Sequence, residues 1–478
     1  MNYIILLPII LAVLSAFFIR LNKCNDDAKL SNYAIVLTTI ISLSILIVVI
    51  NNYNTPLILI DHNILGLRFN IDGLTIVFCF LIGVLWPIAS YWAKTYMKHV
   101  GRFKSFYFLY LLSYASVIGL AFSGNMFTMY IFYELITFAT LPLVMFKGER
   151  RDKFAASSYI YHMFLGAALG LMGMIIFANS IHDMNFTLGG IIHQPLTFNL
   201  LIAYLLMFVG FAVKTGIFPF HKWILQAGVA PTTVTALLHA VAVVKAGAFA
   251  TMRVTYYLYD PSLLHGTFVQ YILLILISIT IIFGSFMALK STHLKRRLAY
   301  STVSQLSYIL LGVISCTTLG LQVALLHMIF HGFTKIVLFY CVGNIMYTNH
   351  KEYTNEIYGY GYKMKTTMIC FLICGICLIG IPPFGLFTTK FALANASMSI
   401  DPVFGFIGLV TLIISALLTA MYILDIIIDA YYPNNTIKID DVKSADPHLR
   451  YPLIIICSLL ILLSLASNYI YNFIGGVI

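Results

Sequence analysis

Five ionisable side chains stand where hydrocarbon should be. Glu134 lies in MYIFYELITFATLPLV, Lys214 in FVGFAVKTGIFPFHKW, Lys245 in LLHAVAVVKAGAF, Lys335 in LHMIFHGFTKIVLFY and Lys390 in LIGIPPFGLFTTKF, each inside an otherwise apolar run. A charge at the centre of a bilayer costs roughly 2.5–3.5 kcal/mol, so the five unpartnered would cost roughly 12–18 kcal/mol, comparable with the stability of a whole domain. They must face the protein interior or water. One acid and four bases on five different segments suit the relay of protons better than the caging of a large solute. A dry site weakens an ammonium's hold on its proton and a nearby carboxylate restores it, so making and breaking an ion pair switches whether a site is loaded. Glu134 is the natural partner of one lysine, foremost Lys214. A static pair that only fixes helix packing would account for one lysine at most.

Histidines thicken the same segments. His327 and His331 are four apart and Lys335 is four further on, which puts all three on one face of a helix. His239 precedes Lys245 by six residues, and His221 follows the proline of the Lys214 segment. Imidazole titrates near physiological pH and suits proton transfer, although a lone membrane histidine such as His221 serves equally well as a hydrogen-bonding core residue. An i, i+4 histidine pair can also hold zinc, but no glutamate or third ligand accompanies this one, so no metal is expected. Cys370, Cys374 and Cys377 have the spacing of an iron-sulfur site in radical enzymes. Their setting, FLICGICLIG, is the apolar start of a membrane helix, where small polarisable side chains pack between helices. Of the eight cysteines only Cys24 falls in a loop. No phosphate loop, dinucleotide fingerprint or nucleophile triad is present, so neither a cofactor nor redox or hydrolytic chemistry is expected in this chain.

The elements that must position these groups are set by composition. Of 478 residues, 61% are hydrophobic and 9% charged, and the mean hydropathy is +0.94. A soluble domain carries roughly a quarter of its residues as charges. The chain therefore reads as an all-α polytopic membrane protein, its apolar runs matching the roughly 20 residues that cross a bilayer as a helix. Fourteen spans are expected, at about 3–20, 32–52, 73–93, 105–123, 126–146, 155–179, 199–225, 230–257, 268–289, 298–315, 320–347, 366–396, 402–430 and 451–474. The first lacks a basic leader region and a cleavage site, so it is expected to be retained. Assigning alternate loops to opposite sides places 21 Lys and Arg on one side, among them Arg20, Lys94, Arg150, Lys290, Arg297, Lys438 and Arg450, and only Arg68 and Arg253 on the other. The basic side should be cytoplasmic and both termini opposite. The total charge of +11 thus speaks of topology rather than of nucleic acid. The seventh and twelfth spans are long and interrupted by Pro219 and by Pro382–Pro383. Paired discontinuous helices point to a midplane ion or substrate site in proteins built from inverted repeats, although membrane helices also tolerate ordinary proline kinks.

These residues resemble the antiporter-like, proton-conducting membrane subunits shared by respiratory complex I, membrane-bound energy-converting hydrogenases and Mrp-type cation/proton antiporters. The resemblance is carried by the Glu134 helix, AVKTGIFPFHKWILQAGVAPTTVTALLHAVAVVKAGAF from Ala212, LKRRLAYSTVSQLSY from Leu294 and LLHMIFHGFTKIVLF from Leu325. It implies fourteen transmembrane helices: helices 1–3 in residues 1–104, two inverted five-helix repeats in 105–257 (helices 4–8) and 258–430 (helices 9–13), and a loop with helix 14 in 431–478. It implies that Glu134 and Lys214 are the charge pair, Lys245 the central lysine and Lys390 the distal lysine of an ion path, with His239, His327, His331 and Lys335 as connecting groups. Relatives with glutamate in the twelfth helix differ, so Lys390 places the chain nearer the lysine-bearing branch. Where an acid often precedes LKRRLAY, this chain has His293. The longest complex I subunit continues past helix 14 into a lateral amphipathic helix, whereas this chain stops at Ile478, which implies a shorter subunit. Two functions stay open. One is proton or sodium translocation within a redox-driven complex of a prokaryotic inner membrane, with iron-sulfur, nickel-iron or flavin centres in partner subunits. The other is a subunit of a Mrp-type sodium/proton antiporter without electron transfer.

Overall fold

The computed structural model describes residues 3–24, 26–432 and 442–478. Lys438 of the basic loops lies outside the described residues. In chain order the elements are α1 (Leu7–Leu21), α2 (Asp27–Asn51), β1 (Leu57–Ile60), β2 (Leu67–Phe69), α3 (Gly73–Tyr96), α4 (Phe103–Ala121), α5 (Met126–Val144), α6 (Arg150–Ile181), α7 (Phe198–Ala212) and α8 (Lys222–Gln226). There follow α9 (Thr232–Ala240), α10 (Val243–Arg253), α11 (Pro261–Leu264), α12 (Phe268–Lys290), α13 (Leu294–Ile314), α14 (Thr318–Asn349), α15 (Tyr360–Lys363), α16 (Lys365–Ile379), α17 (Gly385–Met398), α18 (Pro402–Tyr431), α19 (Pro447–Leu465) and α20 (Ser467–Val477). Among the described residues twelve helical stretches are long and apolar enough to cross a membrane. The two other expected spans fall on α13, whose first turn carries Lys295, Arg296 and Arg297, and on the divided pair α16 and α17.

Helices dominate because in lipid every backbone N–H and C=O must be satisfied within its own segment. Their starts are specified locally. Asn125 caps α5 by accepting from the Thr128 N–H at 2.9 Å, and Asp401 caps α18 through Val403 and Phe404 at 2.8 and 2.9 Å. Outer helices turn large apolar side chains outward, as Tyr161 does on α6 and Phe406 on α18, exposed by 66% and 68%. Two stretches are the reverse. In Thr232–Leu258 and in α14 every residue of the most apolar window is buried inside the protein. These enclosed helices carry His239, Lys245, His327, His331 and Lys335, so five of the ionisable groups read from the sequence lie on spans enclosed by protein. The hydrophobic cost of their charges is thereby removed from the bilayer and becomes a matter of internal partners.

The seventh and twelfth spans are divided as expected, and in the same manner. Each break opens on a glycine at positive φ, Gly216 at 80° and Gly380 at 88°, and reaches a proline three residues on, in the parallel sequences Gly216-Ile217-Phe218-Pro219 and Gly380-Ile381-Pro382-Pro383. The left-handed conformation suits glycine and ends the helix. Two further breaks were not expected, one of them at Ala466, which divides the expected fourteenth span into α19 and α20. The eighth span is divided at Val241 and Ala242, between His239 and Lys245. Neither proline nor glycine marks that place, which is why sequence punctuation could not reveal it.

Arg253 requires a correction. Read as a loop charge, it instead ends α10 with 0% exposure. Its guanidinium pairs with the Asp72 carboxylate, donates to the Thr75 hydroxyl at 3.0 Å and lies 4.4 Å from the Tyr257 ring centroid. The stretch between α2 and α3 forms an antiparallel hairpin in which Leu57 faces Phe69 and Ile58 faces Arg68.

Candidate functional site

Lys214 lies in the single turn Val213–Thr215 that follows α7 and is fully buried. Its ammonium donates to the backbone carbonyl of Tyr133 on α5 and stands 3.3 Å from the Tyr133 ring centroid. Glu134 is the next residue on that helix. It is half-buried, and one carboxylate oxygen is enclosed without a hydrogen-bond partner. The two side chains are therefore neighbours without a direct ion pair, the lysine being held by the residue before the glutamate. Gly247 on α10 lets this turn come close: a Cβ there would lie 2.9 Å from Cβ of Lys214 and 2.8 Å from the Phe211 carbonyl. Lys245, two residues earlier, is thus carried on the helix that packs against the Lys214 turn.

From Lys245 the polar groups continue across the enclosed helices. The Lys245 ammonium meets Nδ1 of His331 on α14. The His331 and His327 rings lie 6.2 Å apart at 14° to one another, and Nδ1 of His327 is 3.0 Å from the Thr389 hydroxyl on α17. Lys390 follows Thr389. Its ammonium donates to the carbonyls of Leu378 and Ile379 at 2.7 and 2.9 Å. These are the carbonyls that the Gly380 break leaves without helical donors, so Lys390 caps α16 and meets the negative end of its dipole. At the other break the cap is neutral, the Trp223 indole N–H donating to Val213 at 2.9 Å. The second break thus depends on a group that can carry a proton.

Lys335 branches away from this line. It donates to the Leu298 carbonyl at 3.2 Å and to the Ser301 hydroxyl at 2.7 Å, and Ser301 is 2.7 Å from the Tyr422 hydroxyl on α18. One turn further towards the C-terminal end of α18, Arg297 pairs with Asp425 at 2.6 Å. His239 is buried against Phe339, ring centroids 4.9 Å apart, and the α9–α10 break separates it from Lys245. His221 is buried between Phe218 and Phe283. Outside the spans, His293 faces Glu352 at 3.4 Å; burial holds its imidazole below the usual range, against the opposing pull of Glu352.

The family model described as NADH:quinone oxidoreductase/Mrp antiporter, TM, matches residues 123–419, which hold every group named along this line. The chain belongs to that family. Among similar proteins, NADH-quinone oxidoreductase subunit N of Desulforudis audaxviator is 31% identical over 330 residues, covering 68% of this chain and 65% of that protein. Subunit 5 of the chloroplast NAD(P)H-quinone oxidoreductase of Piper cenocladum is 30% identical over 383 residues, covering 76% and 50%. The chain thus spans about half to two thirds of the length of these relatives. Its fold is similar to chains of the respiratory complex I of Thermus thermophilus (TM-score 0.83, 19% identity, covering 99% of this chain and 98% of that one). It is also similar to chains of the Mrp complex of a Dietzia species (TM-score 0.85, 18% identity, 100% and 97%) and of an archaeal membrane-bound sulfane sulfur reductase (TM-score 0.86, 20%, 99% and 97%).

For this member of the NADH:quinone oxidoreductase/Mrp antiporter family, several groups in contact with the line went unread in the sequence. Tyr133 acts through its carbonyl, a group every residue owns, so no side-chain pattern could single it out. Ser301 and Tyr422 are 121 residues apart and lie in apolar runs where isolated hydroxyls usually bond to their own helix. Thr389 was visible only as the neighbour of Lys390.

Proposed function

We propose that this chain is the ion-translocating subunit of a multi-subunit membrane complex, moving protons by way of Glu134, Lys214, Lys245 and Lys390. The observation that carries this reading is the line from Lys245 through His331 and His327 to Thr389 beside Lys390, enclosed in protein and linking two divided helices. Lys214 released from the Tyr133 carbonyl and paired with Glu134 holds its proton; parted from Glu134 it passes the proton towards Lys245. The fourteen-span count, the inverted repeats at 105–257 and 258–430, the cytoplasmic position of the basic loops and a prokaryotic inner membrane all belong to this proposal. So do peripheral redox subunits and neighbouring membrane subunits, which hold whatever iron-sulfur, nickel-iron or flavin centres the complex uses.

The test is proton pumping by the native complex in sealed vesicles. Lys214→Ala should lower coupled pumping by roughly 100-fold, the scale of a lost proton-transfer group, while electron transfer by partner subunits continues at a reduced rate. Unchanged pumping in that variant, or normal flux with Lys245 and Lys390 both changed to Leu, overturns the assignment. The family description names Mrp antiporters as well, which favours a second reading as a subunit of a sodium/proton antiporter. Sodium-driven proton movement in the absence of any electron donor distinguishes it.

A further inference from the structure

At the end of the bundle where the basic loops gather, the structure holds an open cavity of about 1850 Å³, walled by parts of 96–102, 146–155, 222–231, 287–300 and 346–353. Eight Lys and Arg side chains line it against three carboxylates among the described residues. The carboxylates are already engaged. Asp152 accepts from the Glu149 backbone N–H at 3.2 Å, and Glu149 closes the same capping box at the start of α6; Glu352 faces His293. By contrast Lys147, Arg150, Arg151, Lys222 and Arg296 form no ion pair among the described residues. Lys295 in the wall is only 5% exposed, its ammonium donating to the Ala230 carbonyl at 3.2 Å.

Topological sorting explains why bases lie on this face of the molecule, but it places no demand on where in space they converge. Here they converge on one concavity, where like charges repel. Arg150 and Arg151 also occupy the first two positions of the 32-residue α6, so their two charges add to the positive end of its dipole, which Glu149 and Asp152 offset only in part. Apolar and aromatic groups, Phe154, Met287 and Tyr300, share the wall with the bases. We infer that this bowl is a binding site for a phosphate-bearing anion, either the headgroup of an acidic phospholipid or free phosphate. Oriented N–H groups and clustered bases are the chemistry that recognises such a group. The site stands independently of ion conduction.

The experiment is isothermal titration calorimetry on the native complex in phosphatidylcholine nanodiscs, with two probes, a short-chain phosphatidylglycerol and inorganic phosphate. At least one probe should bind saturably. The double variant Arg150→Ser, Arg151→Ser should bind it about 25-fold more weakly, from roughly five-fold per base removed. Binding of phosphatidylglycerol alone identifies a lipid headgroup, and binding of phosphate alone a free anion. The variant Arg20→Ser, Lys23→Ser, on the same face but outside the bowl, should bind as the parent does. Should the Arg150/Arg151 variant fail to assemble, Lys222→Ser with Arg296→Ser takes its place. Absence of saturable binding by both probes, equal affinity in the bowl variant, or an equal loss in the Arg20/Lys23 control overturns the inference.

Discussion

Lys390 caps a helix and, on the proposed route, hands on a proton, and the two roles can be separated. Its ammonium satisfies the Leu378 and Ile379 carbonyls, so Lys390→Leu leaves two half-buried acceptors bare at about 1 kcal/mol each. Lys390→Arg keeps donors and charge but does not release a proton at physiological pH. Thermal unfolding in detergent should therefore show Lys390→Leu clearly destabilised and Lys390→Arg close to the parent, while both lose proton flux. Full flux in the arginine variant would show that the side chain is only a helix cap. Along the same line, Lys245, His327 and His331 were legible as polar groups in apolar runs, because each violates the local composition. Their partners were not, because a hydrogen bond between helices leaves no trace in the spacing of either. Lys214 illustrates this: its type marks it, but the Tyr133 carbonyl that holds it is 81 residues away.

At the scale of elements, close approach is made by glycine. A Cβ on Gly247 would press on the Phe211 carbonyl and the Lys214 side chain, so Gly247→Val should part α10 from the Lys214 turn. The overpacking cost is about 1–3 kcal/mol, read as a fall in the unfolding midpoint together with slowed proton transfer between Lys214 and Lys245. Gly216→Ala meets a different obstacle. Its φ of 80° disfavours any side chain by roughly 1–2 kcal/mol, and its Cβ would lie 2.2 Å from Cδ1 of Ile224. Flux and the unfolding midpoint should fall together, whereas Gly228→Ala, with open space around its Cβ position, should leave both nearly unchanged. The two proline-marked breaks were readable because glycine and proline interrupt a helix wherever they occur. The break at Val241 and Ala242 was not, since it arises from how α9 and α10 pack on their neighbours.

For the whole molecule, the pairing of Asp72 with Arg253 ties the start of α3 to the end of α10, joining the first helices to the enclosed span that carries Lys245. Removing one partner of a buried pair strands the other. Asp72→Leu should therefore cost about 3–5 kcal/mol in unfolding experiments, while Asp72→Leu combined with Arg253→Met should recover most of that loss. A double variant no better than the single one would show that the hydrogen bonds to neighbouring groups, not the charge pair, fasten the two parts.

The amino-acid order alone was enough to establish a polytopic helical membrane protein, the approximate place of its spans, the two helix breaks that proline marks and the side chains too costly to face lipid. All of these follow from chemistry that acts over one or two helical turns. Tertiary structure decided which of those side chains meet, that Lys214 rests on a backbone carbonyl instead of on Glu134, that Arg253 is buried, and that the loop bases close around a bowl. Those outcomes depend on the rotation and depth of each helix against its neighbours, which are set by contacts between residues far apart in the chain.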